Sequence, residues 1–540
     1  MPRRTCAPAS ADSRLRLGQA IDVSALSCTG AVRSESVPSS RLWSAALLLV
    51  SRLGRSSSVG SVPLRMAAAR GVLVIATLKA LGTIVDRLAQ IILPLYLLPS
   101  DFGLFALALL FSSLLSLIGE FGMSAYLVRE KDRFPEAAST AFTLRAAMAI
   151  VLVATSVVLG WIASFIYSEA RLTVPVIILS LGILVQAFAM VPRILALRDL
   201  NMAKATVPDS TGKITGVFLT IGLAVFGFAY WSPIYGTLFG LILGTSLQIA
   251  VWRWRPILRF DRDVARSIVR FGQFVTLSAM ANLVAHSVDN AIVGFFLGVM
   301  PLGYYVVAYS WGVAFVSSLS SVINSMTYPI LSRVSDSTAR MRRVLTENFR
   351  YYIYLSLYLS VGIVVFAPTF VLAFYGDAWQ PIVLPIQILA PAGLLIGYSA
   401  ISSDALNAAA RPWDPFVVFS EEAILILVLA PPATILFGIV GTSCAALLGA
   451  VFVATAMTRR ASRTLGGIVV EFRRLSIQSA IVAGSAAITG GAVTVLGLTA
   501  WTTLLLGAAA FSAVYIVAWQ MLTDGHFLSD LKNMLSLALR

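Results

Sequence analysis

Along most of this 540-residue chain the apolar positions run on in stretches of twenty or more residues, instead of alternating with polar ones. A helix on the surface of a soluble domain keeps its apolar residues to one stripe. A segment apolar on every side has to meet hydrocarbon, and ~20 residues of it cross the roughly 30 Å core of a bilayer. The pattern predicts spans at 72–97, 103–124, 139–167, 173–195, 213–231, 234–252, 271–297, 303–328, 351–375, 382–405, 415–437, 438–457, 475–497 and 500–522. Backbone groups in hydrocarbon must be satisfied within their own segment, so these stretches read as helices. The expected fold class is an all-α membrane protein of about 14 transmembrane helices. The spans 415–437 and 438–457 abut, with only Gly438 and Gly441 to turn on. Ala480, Gly484, Ala487 and Gly491 form a small-residue face that reads as a helix-packing surface.

The polar residues between spans orient the chain. Loops and flanks after even-numbered spans hold 25 basic residues, from Arg129, Lys131 and Arg133 to Arg459, Arg460, Arg463, Arg473 and Arg474, whereas the loops after odd-numbered spans hold one, Arg171. The positive-inside rule makes the basic side cytoplasmic, with both termini there, in a bacterial-type inner membrane. Arg145, Arg193 and Lys213 lie near cytoplasmic ends and fit the same rule. Composition agrees: 58% of residues are hydrophobic and 12% charged, too few charges for a soluble domain. The net charge of +15 therefore belongs to membrane topology and not to a nucleic-acid partner. Three scattered cysteines (Cys6, Cys28, Cys444) and two histidines offer neither a disulfide framework nor a metal cluster.

Residues 1–70 hold ten arginines, no lysine and three acids, and read as a basic, disordered extension, with Met66 as an alternative start. Residues 72–133 and 273–333 repeat one plan: Val-Asp at 85–86 and 288–289, a short outer loop, FGLF at 102–105 and LGYY at 302–305, a serine-bearing helix and a basic loop. Six spans separate the copies, so they run parallel. The organisation expected is a six-helix lobe at 71–262, a second at 263–458, and two further helices with a tail at 459–540, with substrate bound between lobes near the midplane.

The segments LPLYLLPSDFGLFALALLFSSLLSLIGEFGMSAYLVREKD (93–132) and VRFGQFVTLSAMANLVAHSVDNAIVGFFLGVMPLGYYVVAYS (269–310) resemble Wzx-type oligosaccharide flippases, the polysaccharide transporter branch of the MOP superfamily. FYGDAWQPIVLPIQILAP (374–391) and LFGIVGTSCAALLGA (436–450) follow later landmarks of that family. The resemblance covers about residues 71–500. It implies a transporter, not an enzyme, that moves a polyprenyl-pyrophosphate-linked oligosaccharide to the outer leaflet by alternating access. It implies membrane lipids, a polysaccharide polymerase and export machinery as partners, and no cofactor beyond a coupling H+ or Na+. Where that family often has Asp-Arg, this chain has Asp289-Asn290, so no role passes to an arginine there.

Such a substrate needs Arg or Lys at membrane depth for its diphosphate and amide or hydroxyl groups for its sugars. Ionisable residues in spans are functional candidates by default. Asp86 and Arg87 lie about 15 residues into the first span, near the midplane at ~1.5 Å per residue, with Gln90 one turn on and Lys79 nearer the cytoplasm. Neighbours in sequence diverge by ~100° on a helix, so Asp86 and Arg87 are expected to find partners on other helices. Asn282, His286, Asp289 and Asn290 stripe the seventh span, and Asn324 lies in the eighth. Glu421 and Glu422 are either interfacial acids or coupling groups of the eleventh. The candidates are thus Lys79, Arg87, Gln90, Asn282 and Asn324 for substrate, and Asp86, His286, Asp289, Glu421 and Glu422 for ion coupling. Asp289 is expected to face Arg87 from the second lobe. Static interhelical salt bridges or polar packing are the alternative reading of the same residues. The readings to weigh against the flippase are an exporter of lipid II or drugs and a membrane enzyme of polysaccharide assembly. The outer loops hold no His and no catalytic constellation for the last.

A reporter fused after residue 132, 258 or 340 is expected to be active only if it works in the cytoplasm, and after residue 300 or 378 only if it works outside. An outside signal at 258 would overturn the orientation.

Overall fold

The computed structural model describes residues 77–529, apart from 79–80, 131, 200–201, 253–254, 256, 322, 324–330, 332–333, 335–336, 410, 412, 467, 496–498, 524 and 526; at 202, 274, 278, 281–282, 285–286, 468–476 and 494–495 it describes the backbone alone. Every regular element among the described residues is helical. In chain order they are α1 (81–92), α2 (Pro99–Glu120), α3 (Met123–Arg129), α4 (Phe134–Ile166), α5 (Thr173–Arg198), α6 (Met202–Val225), α7 (Trp231–Trp252) and α8 (Arg262–Leu297). Then come α9 (Val299–Tyr309), which runs on through a π-helical turn at Ser310–Phe315, α10 (Thr338–Phe374) and α11 (Val383–Ala408). The stretch Trp413–Leu465 leaves helical geometry at Gly438, which divides it into α12 (413–437) and α13 (439–465). Last are α14 (Ile468–Val495) and α15 (Ala500–Leu522). Among the described residues nine helical stretches are long and apolar enough to cross a membrane, the undivided Trp413–Leu465 being one of them. The chain is a multi-pass, all-α membrane protein.

The two abutting spans form a tight antiparallel hairpin. Gly438 adopts φ 60°, ψ −146°, a conformation that costs a residue with a Cβ. Thr434 and Thr442 then meet hydroxyl to hydroxyl at 2.7 Å, and a Cβ on Gly441 would fall 1.9 Å from the Ala433 carbonyl oxygen. Other boundaries shift for local reasons. α2 starts at Pro99, ahead of the expected 103, because proline suits a first helical turn and the Asp101 carboxylate accepts the Leu98 N–H at 2.9 Å. α2 stops where Phe121 and Gly122 both take positive φ (41° and 65°), and Glu120 caps the next helix through the amides of Gly122 and Ser124. On α14 the buried face is Val482, Ala486 and Gly490, the last against Val365 and Phe366. A Cβ added at Gly484 or Gly491 would meet nothing within 4 Å, so the close helix approach is at Gly490 and not at those two positions. Phe511, Tyr515 and Trp519 of α15 join Val482 and Ala486 in one buried cluster with Tyr352 and Tyr354 of α10.

The helices before and after residue 262 touch at both ends of the molecule. At one end α2 meets α9 through Gly103 and Gly303, which occupy the same place in the sequence repeat. A Cβ at Gly103 would fall 1.8 Å from the Val299 carbonyl oxygen, and one at Gly303 would fall 1.6 Å from that of Pro99. At the other end a Cβ on Gly272 of α8 would fall 2.1 Å from the Phe121 carbonyl oxygen. Nearby, Arg133 pairs with Asp261 at 2.8 Å, and Arg198 donates to the carbonyls of Leu127 and Glu130 with its guanidinium 4.1 Å from the Phe134 ring centre. The amide of Val264, then that of Asp263 and the Arg133 guanidinium, hold the Asp261 carboxyl below its ordinary range.

Backbone cannot retreat as a flexible side chain can, so Gly103→Ala forces α2 and α9 apart, at about 1–3 kcal/mol if overpacking is the measure. The population closed at this end is expected to fall about tenfold or more. In a background lacking native cysteines, a Ser310→Cys probe should react faster with an impermeant thiol reagent added outside when Gly103→Ala is present. Equal labelling rates would show that this contact does not set the closure.

Candidate functional site

α1 ends early for a reason that shapes the site. Pro94 has no N–H, so the carbonyl of Gln90, four residues back, loses its helical donor, and the chain tightens into a 3₁₀ turn at Leu93–Leu95. Tyr375 at the end of α10 donates its hydroxyl to that carbonyl at 2.8 Å and accepts the Trp311 indole N–H at 2.9 Å. Trp311 belongs to the π-helical turn after α9, a local widening that recurs at functional sites. Arg87 reaches the same turn. Its Nη1 donates to Gln90 Oε1 and the Ser310 carbonyl, each at 2.8 Å, with the guanidinium 5.0 Å from the Phe315 ring centre. The Nε of Arg87 is buried without a hydrogen-bond partner.

Asp86, the neighbour in sequence, points the other way and accepts from Lys213 Nζ of α6 at 2.6 Å. One turn earlier on α6, Asp209 pairs with Arg193 of α5. The Lys213 side chain is 61% exposed although it lies about 16 Å into α6. Arg145 of α4 sits near Glu120 and Arg193, nearly fully buried, with its Nε and Nη1 unpartnered. Arg193, Asp209, Lys213, Asp86, Arg87 and Gln90 thus form a polar ladder from one membrane end toward the middle.

A second cluster lies wholly among the later helices. Asp289 of α8 is 5% exposed and accepts the Tyr305 hydroxyl of α9 at 2.8 Å. Tyr309 and Glu422 of α12 are within electrostatic reach of it. Glu422 is 3% exposed, and its Oε2 has no partner. Ile292, Ile426, Ala430 and Ala445 pack round this group and keep it dry. Among the described residues no basic side chain pairs with either acid, and no three His, Cys, Asp or Glu side chains are arranged to hold a metal.

The structure therefore joins Arg87 and Gln90, sends Asp86 to Lys213, and joins Asp289 to Glu422. Asp289 does not face Arg87: its carboxylate turns into its own half because the Tyr305 hydroxyl satisfies it there. Glu421 is separate from its neighbour, half-exposed and 3.5 Å from Arg460. Lys79 and Asn324 lie outside the described residues, as do the side chains of Asn282 and His286. Sequence reasoning gave no role to Lys213, Arg193 and Asp209. The available signal was the i, i+4 spacing of Asp209 and Lys213, which puts both on one face of a helix that enters the membrane.

A family model described as "Polysaccharide biosynthesis protein" matches residues 92–384. The lipopolysaccharide biosynthesis protein WzxC of Escherichia coli (strain K12) is 21% identical over 317 residues, 58% of this chain and 64% of that protein. An uncharacterized membrane protein in the cps region of Klebsiella pneumoniae is 22% identical over 311 residues, 57% of this chain and 64% of its own length. The matched part of the chain thus spans just under two thirds of these relatives. The solved structure of the lipid II flippase MurJ in an inward closed conformation has the same fold, with a TM-score of 0.64 at 14% identity over 82% of this chain and 98% of that one.

Tyr375→Phe removes the donor to the Gln90 carbonyl and the acceptor for the Trp311 indole. Two polar groups left unpaired are expected to cost about 1–3 kcal/mol. A lower thermal-unfolding midpoint in detergent checks this, and a midpoint unchanged within error would show that water replaces the hydroxyl.

Proposed function

The chain belongs to the polysaccharide biosynthesis protein family, and from that premise we infer that it is a transporter that flips a polyprenyl-pyrophosphate-linked oligosaccharide from the cytoplasmic to the outer leaflet. Fourteen crossings of a bacterial-type inner membrane, with both termini cytoplasmic, make two six-helix lobes that rock about the midplane, with α14 and α15 attached to the second. The observation that carries the reading is Arg87, a guanidinium at mid-membrane depth, between the lobes, with spare N–H groups. A diphosphate is the ligand such a fork suits, because charge-assisted bidentate bonds hold it in one orientation. Lys213, an exposed rung of the ladder before Arg87, meets the anion first, and Gln90 offers an amide to the first sugar. The flipped product then passes to a polymerase and export machinery.

Asp289 and Glu422 carry the coupling ion in this scheme. Two buried acids with no basic partner among the described residues can take up a proton or Na+ from one side and release it to the other, and the Tyr305 hydroxyl reports that occupancy to α9. The names of the relatives favour polysaccharide precursors over other amphiphiles as cargo.

Arg87→Ala is expected to abolish glycan export at near-normal membrane abundance, while Arg87→Lys restores only part, since a point charge lacks the bidentate geometry. Glu422→Gln and Asp289→Asn should keep binding but flatten the response of export to an imposed proton or sodium gradient. The measurements are surface glycan and membrane protein level in a strain that lacks its own flippase, with gradient dependence read in vesicles. Normal export by Arg87→Ala would sink the diphosphate role. If Arg87→Ala lowers abundance instead, and removing its Gln90 partner as well restores it, Arg87 is structural.

A further inference from the structure

The open end of the α12–α13 hairpin holds a charged cleft that the transport scheme does not use. Because the hairpin folds about Gly438, Arg411 and Asp414 come beside 460–464 at the end far from the turn. The cleft there has a volume of about 300 Å³ and is lined by Arg411, Asp414, Arg460 and Arg463. Asp414 acts as the scaffold. One of its oxygens takes Arg460 Nη1 at 3.2 Å, and the other takes Arg411 Nε at 3.3 Å. Arg411 is held a second time through Nη1 to the Thr464 hydroxyl at 3.0 Å, and Arg460 through Nη2 to Glu421 at 3.5 Å. Two guanidinium groups are thereby fixed in orientation before any ligand arrives. Arg463 is exposed and has no acidic partner among the described residues. Three cations against the Asp414 carboxylate and the Glu421 carboxylate on Arg460 leave the cleft about one positive charge in excess, centred on the unpaired Arg463.

The position of the cleft narrows the ligand. It lies on the side where the basic loops gather, at the level where α12 enters the membrane. Trp413, the first residue of α12, is 70% exposed beside it and stacks loosely on Phe416, ring centres 5.0 Å apart. An exposed tryptophan at a helix end marks the bilayer interface. Basic clefts between membrane helices on the cytoplasmic side bind phosphate head groups, and arginine forks match phosphate oxygens.

We propose that Arg411, Arg460 and Arg463 bind the phosphodiester head group of an anionic phospholipid of the inner leaflet, separate from the transport path. The lipid bridges the two ends of the hairpin. It thereby fixes the base of the helix that carries Glu422, eight residues or about 12 Å from Asp414. Arg460 and Asp414 form the frame, and Arg411 and Arg463 supply the free N–H groups.

The test uses the full chain in nanodiscs of phosphatidylcholine alone or with one third phosphatidylglycerol, read by thermal midpoint and by lipid retained in native mass spectrometry. The wild type should retain phosphatidylglycerol and gain several degrees. Arg411→Gln/Arg463→Gln should retain at least about tenfold less and lose the gain. Arg463→Glu serves as a second variant, because removing a side chain with no described partner leaves the frame intact. It should match the double variant in retention while keeping the wild-type midpoint in phosphatidylcholine. In a separate arm, inorganic phosphate at millimolar concentration is added to phosphatidylcholine discs. The same stabilisation from phosphate alone would assign the cleft to a soluble anion and overturn the lipid assignment. Equal retention of phosphatidylglycerol by wild type and both variants would remove the site altogether.

Discussion

A guanidinium drawn in among membrane helices must be solvated by protein, and the solvation of Arg87 organises the helices around it. Leaving such a charge unmatched there costs several kcal/mol. Its partners come from two directions: Gln90 on its own helix, and the Ser310 carbonyl with the Phe315 face from the π-helical turn. The turn exposes that carbonyl because i to i+5 bonding loosens the helical ladder there. Tyr375 closes the assembly by bonding both the carbonyl that Pro94 orphans and the indole beside Ser310. A proline, a π-turn and a tyrosine, from three helices far apart in sequence, are thus parts of one arrangement.

The same helix, α1, belongs to both halves. Asp86 and Arg87 are adjacent, diverge by ~100°, and bond to α6 and to the α9 turn respectively. A polar path across the interface of the two halves thus runs through this one helix. The end contacts need to be soft by comparison. Gly103 against Gly303 and Phe121 against Gly272 are close backbone approaches, the second with the Arg133–Asp261 ion pair nearby. Dispersion between bare backbones holds these seals, and in lipid that interaction falls off sharply with separation.

Much of this was legible in the sequence, and the reasons differ by feature. Helix positions followed from uninterrupted hydrophobicity, and even the abutting pair at 438 was readable, because only glycine permits so short a turn. The divergence of Asp86 and Arg87 follows from helix geometry alone. Their partners do not, since Ser310 contributes a carbonyl and not a side chain, and nothing in a sequence marks which backbone oxygen is free. Asp289 was misdirected for a related reason: the stripe at 282–290 fixes a face, but the Tyr305 hydroxyl that turns it inward sits on the next helix. Lys213 and Arg193 were hidden by the positive-inside rule, which explains any basic residue near a cytoplasmic end and so cannot single out the ones that pair with acids on other helices. Repeat symmetry was the more informative signal. The FGLF and LGYY segments not only correspond but touch, glycine to glycine.

That touching pair bears on how an ion could drive movement. In the proposed scheme the cationic ladder binds cargo in the first half, while the acids that take the ion are buried in the second. Coupling needs an element common to both, and α9 with its π-turn meets the condition. Within about 10 Å it presents Gly303 to the contact with α2, Tyr305 to Asp289 and the Ser310 carbonyl to Arg87. Neutralising Asp289 would weaken its bond to Tyr305, because a carboxylate accepts more strongly than a carboxylic acid. A helix freed at Tyr305 can shift only by disturbing Gly303, Ser310 or both, since all three lie on one rigid segment. In the proposed scheme, ion occupancy, closure at the α2–α9 contact and the grip on the arginine are therefore tied by geometry and need no longer pathway between them.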